Sequence, residues 1–240
     1  MKLAILSDIH GNLTAFEAVL AELEREQIMH IVCLGDVAVM GSQPARVIDR
    51  LNDLRIPVVM GNTDAWLLEP TFEETANPLI AGPERWCSEQ IGVHQLEFIR
   101  GFVSTLEIPV GDLKILCSHG SPRSFDDKIY STTPREELNE MFTAKAPIMV
   151  SGHTHQQMLR RLDEITLINP GSVGLAYSSA SGGGTLARYA EYAVLDLSAG
   201  WPRVELRRTS FDHLEAATRM RESFMPHADY WATQWANASF

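Results

Sequence analysis

Asp, Asn and His side chains recur beside Gly or Ser at five separate places in the chain. The segments are Ser7-Asp8-Ile9-His10-Gly11-Asn12, Gly35-Asp36, Gly61-Asn62-Thr63-Asp64, Ser118-His119-Gly120 and Gly152-His153-Thr154-His155. Carboxylate oxygen, amide oxygen and imidazole nitrogen suit borderline divalent cations such as Mn, Fe, Zn or Ni. No cysteine belongs to the set, which disfavours a structural zinc site. The residue types therefore predict a divalent-metal site, provided that the fold brings the segments together.

Short apolar runs precede most of these polar segments. They span residues 3–6, 28–34, 56–60, 113–117 and 148–151 and predict buried strands. Helical spacing of apolar residues separates the first three runs, with Asn12 as an N-cap before one helix and Pro44 at the start of the next. Strand–helix alternation predicts an α/β fold with parallel pairing. Since the carboxyl ends of such strands converge on a ligand crevice, we expect the five segments to meet.

The second half of the chain has a different pattern. Residues 84–103 and 134–142 read as helical, and apolar runs at 158–162, 166–168, 192–197 and 204–208 follow one another without helices between them. These runs predict a second sheet that is mixed or antiparallel. Residues 178–184 are rich in Ser and Gly and predict a mobile loop. With no repeat or linker, we expect one domain over residues 1–240, ending in a helical appendage from about 213 to 240.

Charge and cysteine content restrict the function further. The net charge is −11, from 20 Lys and Arg against 31 Asp and Glu, and such a surface repels nucleic-acid phosphates. We therefore expect no general nucleic-acid binding. No run approaches the roughly 20 apolar residues that span a bilayer, so no membrane association is expected. The three cysteines, Cys33, Cys87 and Cys117, are odd in number and widely spaced, so they indicate no disulfide framework, which fits a cytoplasmic protein. Cys33 and Cys117 lie in apolar runs, which predicts core packing for these two.

The ordered set of motifs, completed by Asn169-Pro170-Gly171-Ser172, resembles the calcineurin-like metallophosphoesterases over about residues 1–197. The similarity is to their small bacterial and archaeal phosphodiesterase branch. It implies a four-layered α/β/β/α sandwich, with two mixed sheets flanked by helices. It also implies metal-dependent hydrolysis of a small phosphate ester, with a phosphodiester favoured over a phosphomonoester.

The same resemblance assigns roles to seven side chains. Asp8, His10 and His155 would hold a first metal; Asn62, His119 and His153 would hold a second; Asp36 would bridge both. A hydroxide shared by the two cations would attack phosphorus in line, with Asp36, Asn62 and His119 in the catalytic set. Manganese is the favoured metal, with Fe, Zn or Ni as alternatives.

The sequence departs from the family at the position of the leaving-group acid. Many members have a His at the position of Thr63, and an acidic residue that orients this His at the position of Val39. At the next position, Met40 stands where those members have an Arg. Both halves of the acid pair are thus missing. The site would then rely on the second metal to stabilise the leaving oxygen, on a proton from a water or from another residue such as His94, or on a leaving group that needs no proton.

Several residues keep two interpretations at this point. Asp64 is either a partner of a ligand His or a helix N-terminal charge. Residues 169–172 form a tight turn, or Asn169 supports the site. Arg123, Lys128 and Arg188 are solvated or contact substrate phosphate.

Two larger alternatives also remain. Trp231 and Trp235 share a helical face that would cover a neighbouring surface, and a second subunit in a homo-oligomer is one option. The rival function is a non-catalytic interaction scaffold on the same fold. An intact ligand set favours the enzyme, and the acidic surface disfavours a nuclease.

Overall fold

The structure is a computed structural model that describes residues 1–72, 77–177, 185–198 and 202–238. Its strands are β1 (Lys2–Leu6), β2 (His30–Cys33), β3 (Thr105–Val110), β4 (Leu113–Ser118), β5 (Ile148–Val150), β6 (Met158–Leu162), β7 (Ile165–Asn169), β8 (Tyr189–Asp196) and β9 (Arg203–Ser210). Its helices are α1 (Leu13–Arg25), α2 (Pro44–Asp53), α3 (Asn62–Leu68), α4 (Pro78–Gln90), α5 (Val93–Arg100), α6 (Arg135–Met141), α7 (His213–Glu222) and α8 (Ala228–Ala236).

The strands form two mixed sheets. The first has the order β2-β1-β8-β9, in which β1 pairs parallel with β2 and antiparallel with β8. The second has the order β3-β4-β5-β7-β6, with parallel pairs in the middle and antiparallel pairs at both edges. Because β1 and β2 are parallel, as are β4 and β5, the two strands of each pair end at the same edge of their sheet.

Alternation along β1 sorts the core into layers, because successive strand side chains point to opposite faces. Leu3 and Ile5 pack in the apolar layer between the sheets, whereas Ala4 and Leu6 pack with the helices outside the first sheet. On the far side, α6 packs against the outer face of the second sheet. The order helix, sheet, sheet, helix confirms the predicted four-layered α/β/β/α sandwich.

Local differences from the expected elements have identifiable causes. Residues 56–60, expected to be a strand, form only isolated bridges through Val58 and Val59; Pro57 has no N–H to contribute to a ladder. The helix expected over 84–103 is two helices, because Ile91 is extended and Gly92 is the N-cap of α5, with its N–H donating to the Gln95 side chain. Neither β3 nor the seven-residue α3 was predicted. The loop expected at 178–184 lies outside the described residues.

The C-terminal helices pack on this chain's own surface. Trp235 is buried and meets Phe211 edge-on, with ring centroids 5.6 Å apart. Trp231 donates from its indole nitrogen to the carbonyl of Leu79 in α4 at 3.2 Å. The surface that these tryptophans were expected to cover therefore belongs to the same chain rather than to a second subunit. In the described part of the chain, no helix is both long and apolar enough to cross a bilayer.

Candidate metal centre

The polar segments of the sequence meet at one edge of the two sheets. Asp8 and His10 follow β1, Asp36 follows β2, His119 follows β4, His153 and His155 follow β5, and Asn62 is the first residue of α3. The parallel pairs β1–β2 and β4–β5 deliver four of these five segments to that edge. The expected convergence of the segments is what the fold produces.

One cluster consists of Asp8, His10 and His155. A ligand atom from each lies within 4.8 Å of the others. His155 Nε2 is 3.2 Å from Asp8 Oδ1 and 3.1 Å from His10 Nε2. Ligands about 2.0–2.2 Å from one small cation are separated by such distances.

The second cluster consists of Asp36, His119 and His153, with the same 4.8 Å limit between ligand atoms. His119 Nε2 lies 3.5 Å from Asp36 Oδ2 and 3.1 Å from Asn62 Oδ1. Asp36 Oδ2 is also 3.8 Å from His10 Nε2 of the first cluster. Asp36 therefore lies between the two clusters.

Three of the imidazoles are oriented by backbone carbonyls. His10 Nδ1 donates to Val39 O at 2.8 Å, His119 Nδ1 to Leu34 O at 2.8 Å, and His155 Nδ1 to Leu175 O at 2.9 Å. A neutral imidazole that donates from Nδ1 has its lone pair on Nε2, the atom that faces the carboxylates here. Asp8 Oδ1 and His153 Nε2 are buried and have no hydrogen-bond partner among the described residues. The donor set fits a pair of divalent cations.

The charges of the clusters shift each other's pKa values. Burial alone would raise the pKa of Asp8, but the charge of His155, whose Nε2 is 3.2 Å away, lowers it to about 2. Burial likewise opposes ionisation of Asp36, yet His119 holds that pKa well below its usual range. Burial lowers the pKa of His119, but the Asp36 and Asp8 carboxylates outweigh it and raise the pKa to about 10. The buried carboxylates thus favour positive charge beside them, which a divalent cation supplies.

The backbone turns sharply at five of the predicted ligands. Asp8, His10, Asp36, His153 and His155 all have positive φ, with values of 55°, 46°, 53°, 64° and 54°. A non-glycine residue in this region costs of the order of 1 kcal/mol or more, and such residues cluster at functional sites. Here each turn directs a side chain away from its strand and into the centre.

Residues 169–172 support the loops that carry the ligands. Asn169 Nδ2 donates to Gly152 O at 2.8 Å and to Thr154 Oγ1 at 3.0 Å. Ser172 Oγ donates to Asp8 O at 2.8 Å. Of the two interpretations of this segment, support of the site therefore holds, although the Gly171 amide also closes a local turn on Asn169.

Asp64 is the helix N-terminal charge that was one of its two interpretations, since it lies in the first turn of α3 and accepts the N–H of the N-cap Gly61. Its carboxylate is fully buried and accepts from the backbone amides of Asp36 at 2.8 Å, Val37 at 3.0 Å and Gly61 at 3.1 Å. It also contacts the backbone of a ligand segment rather than a histidine. Burial and the nearby Asp36 carboxylate raise the pKa of Asp64 to about 7.

Other candidate residues have partners away from the clusters. His94 is exposed, with Nε2 3.5 Å from Asn52 Nδ2. Arg123 pairs with Asp127 through two contacts of 3.1 and 3.0 Å. Arg188 donates to the carbonyl of Ala238. The three cysteines are free and buried, which confirms the core packing predicted for Cys33 and Cys117.

Sequence reasoning missed the carbonyl groups that orient the histidines, at Leu34, Val39 and Leu175. Every residue type carries a carbonyl, so no side-chain pattern marks these positions.

The site geometry agrees with a match to a known family. Residues 1–199 match the sequence model of the calcineurin-like phosphoesterase superfamily domain. The chain belongs to the calcineurin-like phosphoesterase superfamily. The family predicted from the motifs is thereby confirmed.

Two curated proteins and one crystal structure illustrate the similarity within the calcineurin-like phosphoesterases. The protein MJ0912 of Methanocaldococcus jannaschii is 27% identical over 239 residues, covering 93% of each chain. Phosphodiesterase YfcE of Escherichia coli is 27% identical over 185 residues, 73% of this chain and 80% of YfcE. A metallophosphoesterase of Sphaerobacter thermophilus superposes with a TM-score of 0.78 at 25% identity, covering 98% of both chains.

Proposed function

We propose that this protein is a dinuclear metal-dependent phosphoesterase that hydrolyses phosphodiesters in preference to phosphomonoesters. The observation that carries the proposal is the pair of ligand clusters with Asp36 between them. Membership of the calcineurin-like phosphoesterase superfamily supports hydrolysis as the chemistry. The similarity to a phosphodiesterase of Escherichia coli supports a diester as substrate.

The proposed ligands follow the clusters. Asp8, His10 and His155 hold the first cation, and His119, His153 and Asn62 hold the second, with Asp36 shared. Bound there, two divalent cations would lower the pKa of a water molecule and neutralise the phosphate oxygens during in-line displacement. Manganese as the metal and a cytoplasmic location stay predictions.

The chain's own residues prepare the site for a small anionic substrate. Thr63 N–H donates to Asp36 Oδ1 at 2.9 Å, which turns Oδ2 towards His10 and His119. Asn62, the first residue of α3, contacts His119, so the start of α3 lies against the second cluster. The net charge of −11 disfavours long polyanions, so a small ester rather than nucleic acid is the proposed substrate.

A metal-depletion experiment tests the proposal. Purified protein is stripped with a chelator, its metal content is measured by mass spectrometry, and Mn²⁺, Zn²⁺, Fe²⁺ or Ni²⁺ is added back. Each form is assayed on bis(p-nitrophenyl) phosphate, p-nitrophenyl phosphate and alkyl diesters. We expect no turnover without metal, recovery with two equivalents, and faster cleavage of the diester. Protein that binds two metals but cleaves none of these esters would favour the scaffold function.

A further inference from the structure

The carboxylates of Asp36 and Asp64 each accept backbone N–H groups from the segment that carries the other residue. Asp64 Oδ2 accepts the N–H groups of Asp36 at 2.8 Å and Gly61 at 3.1 Å, while Oδ1 accepts that of Val37 at 3.0 Å. In return, Asp36 Oδ1 accepts the N–H of Thr63, the residue before Asp64, at 2.9 Å. Three of these hydrogen bonds join the loop after β2 to the start of α3, and the fourth, from Gly61, closes the start of α3 itself.

The two joined segments serve different clusters. The loop after β2 carries Asp36 and, three residues on, the Val39 carbonyl that orients His10 of the first cluster. The start of α3 carries Asn62, which lies against His119 of the second cluster. Asp64 is therefore a non-ligand side chain that connects the supports of both clusters.

The packing leaves little freedom at this junction. A Cβ added at Gly61 would lie 2.2 Å from Asp36 Oδ1 and 2.4 Å from Asp36 N, so the backbones already touch. Asp36 holds a positive φ of 53°, and its amide is buried with Asp64 as acceptor. A buried N–H without an acceptor is costly, so loss of Asp64 would release this turn.

We propose that Asp64 is a positioning residue that makes the second metal site form together with the first. It keeps Asp36 between the clusters and Asn62 against His119. None of the hydrogen bonds of Asp64 in the described structure goes to Asp8 or His155. The first cluster depends on Asp64 through the shared Asp36 and, more remotely, through the Val39 carbonyl that accepts from His10. Asn62 of the second site lies between Gly61 and Thr63, whose amides are both held in this junction. Loss of Asp64 should therefore weaken the second site far more than the first. This inference rests on the proposed dinuclear function.

Metal titration of Asp64→Asn tests the inference without using turnover. The amide keeps the size of the side chain but turns an NH₂ group towards at least one backbone N–H. Metal-free protein is titrated calorimetrically with Mn²⁺ and with Zn²⁺, and bound metal is counted after desalting. We expect two sites in the wild type, and in the variant one site of nearly unchanged affinity and one weakened by about 10- to 100-fold.

Asp127→Asn is the matched control. The Asp127 carboxylate also accepts three hydrogen bonds, from Ser121 Oγ and from two Arg123 nitrogens, in the loop that follows His119. None of these donors is a predicted ligand. The Asp127 carboxylate has only a charge interaction with His153, the least of the causes that shift its pKa. We therefore expect Asp127→Asn to bind two metals with a far smaller loss of affinity than Asp64→Asn, which separates metal positioning from general loop stabilisation.

The outcomes distinguish this inference from the proposed function. A wild type that binds a single metal would contradict the dinuclear function itself. A wild type with two sites, combined with a folded Asp64→Asn that binds both unchanged or weakens both equally, would overturn the role of Asp64. Asp64→Ser, which keeps one acceptor and leaves room for a water, is the second variant. If neither variant folds by circular dichroism, Asp64 is a folding requirement and the inference is wrong.

Discussion

His10 Nε2 lies 3.1 Å from His155 Nε2, although the two residues are 145 positions apart in the chain. Both Nδ1 atoms donate to carbonyls, of Val39 and Leu175, so the two Nε2 lone pairs face each other. Two lone pairs at this distance repel unless a proton or a cation lies between them. Asp8 Oδ1, 3.2 Å from His155 Nε2, adds a negative charge at the same point. A proton or a bound cation would remove this repulsion, and the ligand atoms of the first cluster lie close enough together to hold the cation.

Asp36→Asn tests the shared ligand. The amide keeps the shape of the side chain and an acceptor for the Thr63 N–H, but it removes the charge between the clusters. We expect fewer than two bound metals per protein. We also expect turnover to fall by more than the roughly 10- to 100-fold that is typical when a residue hydrogen-bonded to a metal ligand is replaced. Mass spectrometry and steady-state kinetics measure both. Normal metal content together with a normal rate would disprove the ligand assignment.

The leaving-group dependence tests how the reaction proceeds without the family's acid. Thr63 Oγ1 is buried without a partner in the described structure, and a hydroxyl is too weak an acid to replace imidazolium. Since His94 is exposed beside Asn52, it does not supply the proton in this structure. A general acid typically contributes about 100- to 10,000-fold. We expect the rate to fall steeply as the leaving-group pKa rises, so aryl esters are cleaved much faster than alkyl esters.

A series of aryl phosphodiesters with graded leaving-group pKa values measures this dependence in the wild type and in Thr63→His. The variant should cleave esters with poor leaving groups faster and show a shallower slope. A flat slope in the wild type would mean that an unrecognised acid is present.

Glu191 predicts a pH dependence of stability outside the metal centre. It is buried in β8 and pairs with Arg208 at 3.0 Å. Burial raises its pKa from 4.5 to about 7 in spite of Arg208. A raised carboxyl pKa means that its contribution to stability is present below the unfolded value of 4.5 and is lost as the pH rises through 7.

Glu191→Gln should therefore lose this pH dependence. Relative to the wild type, its free energy of unfolding should rise between about pH 5 and pH 8 by up to about 3 kcal/mol. Urea unfolding of both proteins in chelator measures the difference without a contribution from metal binding. An equal change with pH in the two proteins would show that Glu191 does not titrate in this range.

Trp235 tests whether α8 contributes to the core. The side chain is 3% exposed and packs edge-on against Phe211. Trp235→Ala should lower the free energy of unfolding by about 3–5 kcal/mol, the usual cost of removing a buried aromatic. Tyr230→Ala, in the same helix but 46% exposed, is the control and should cost about 1 kcal/mol or less. If Trp235→Ala lowered the free energy of unfolding as little as Tyr230→Ala, α8 would not contribute to the core.

Local patterns in the sequence determined the family, most elements and the residues of the candidate site. Three such local signals are the apolar run of β1, the Asn12 cap on α1, which accepts from Ala15 N at 3.1 Å, and Pro44 at the start of α2. Each depends on neighbours within a few positions. The strand-end motifs identified the seven predicted ligands for the same reason. An apolar run followed by Asp, Asn or His beside Gly or Ser is recognisable within a few consecutive residues.

Only the tertiary structure decided how those residues are paired and supported. The docking of Trp231 on α4 depends on a partner 152 positions away in the chain. The same holds for Asp64, whose carboxylate accepts amides 27 and 28 positions away as well as that of Gly61. Every residue contributes a similar amide and carbonyl to such contacts. Which of them meet is set by how the two sheets and their helices pack, since packing brings backbone groups together without regard to side-chain pattern.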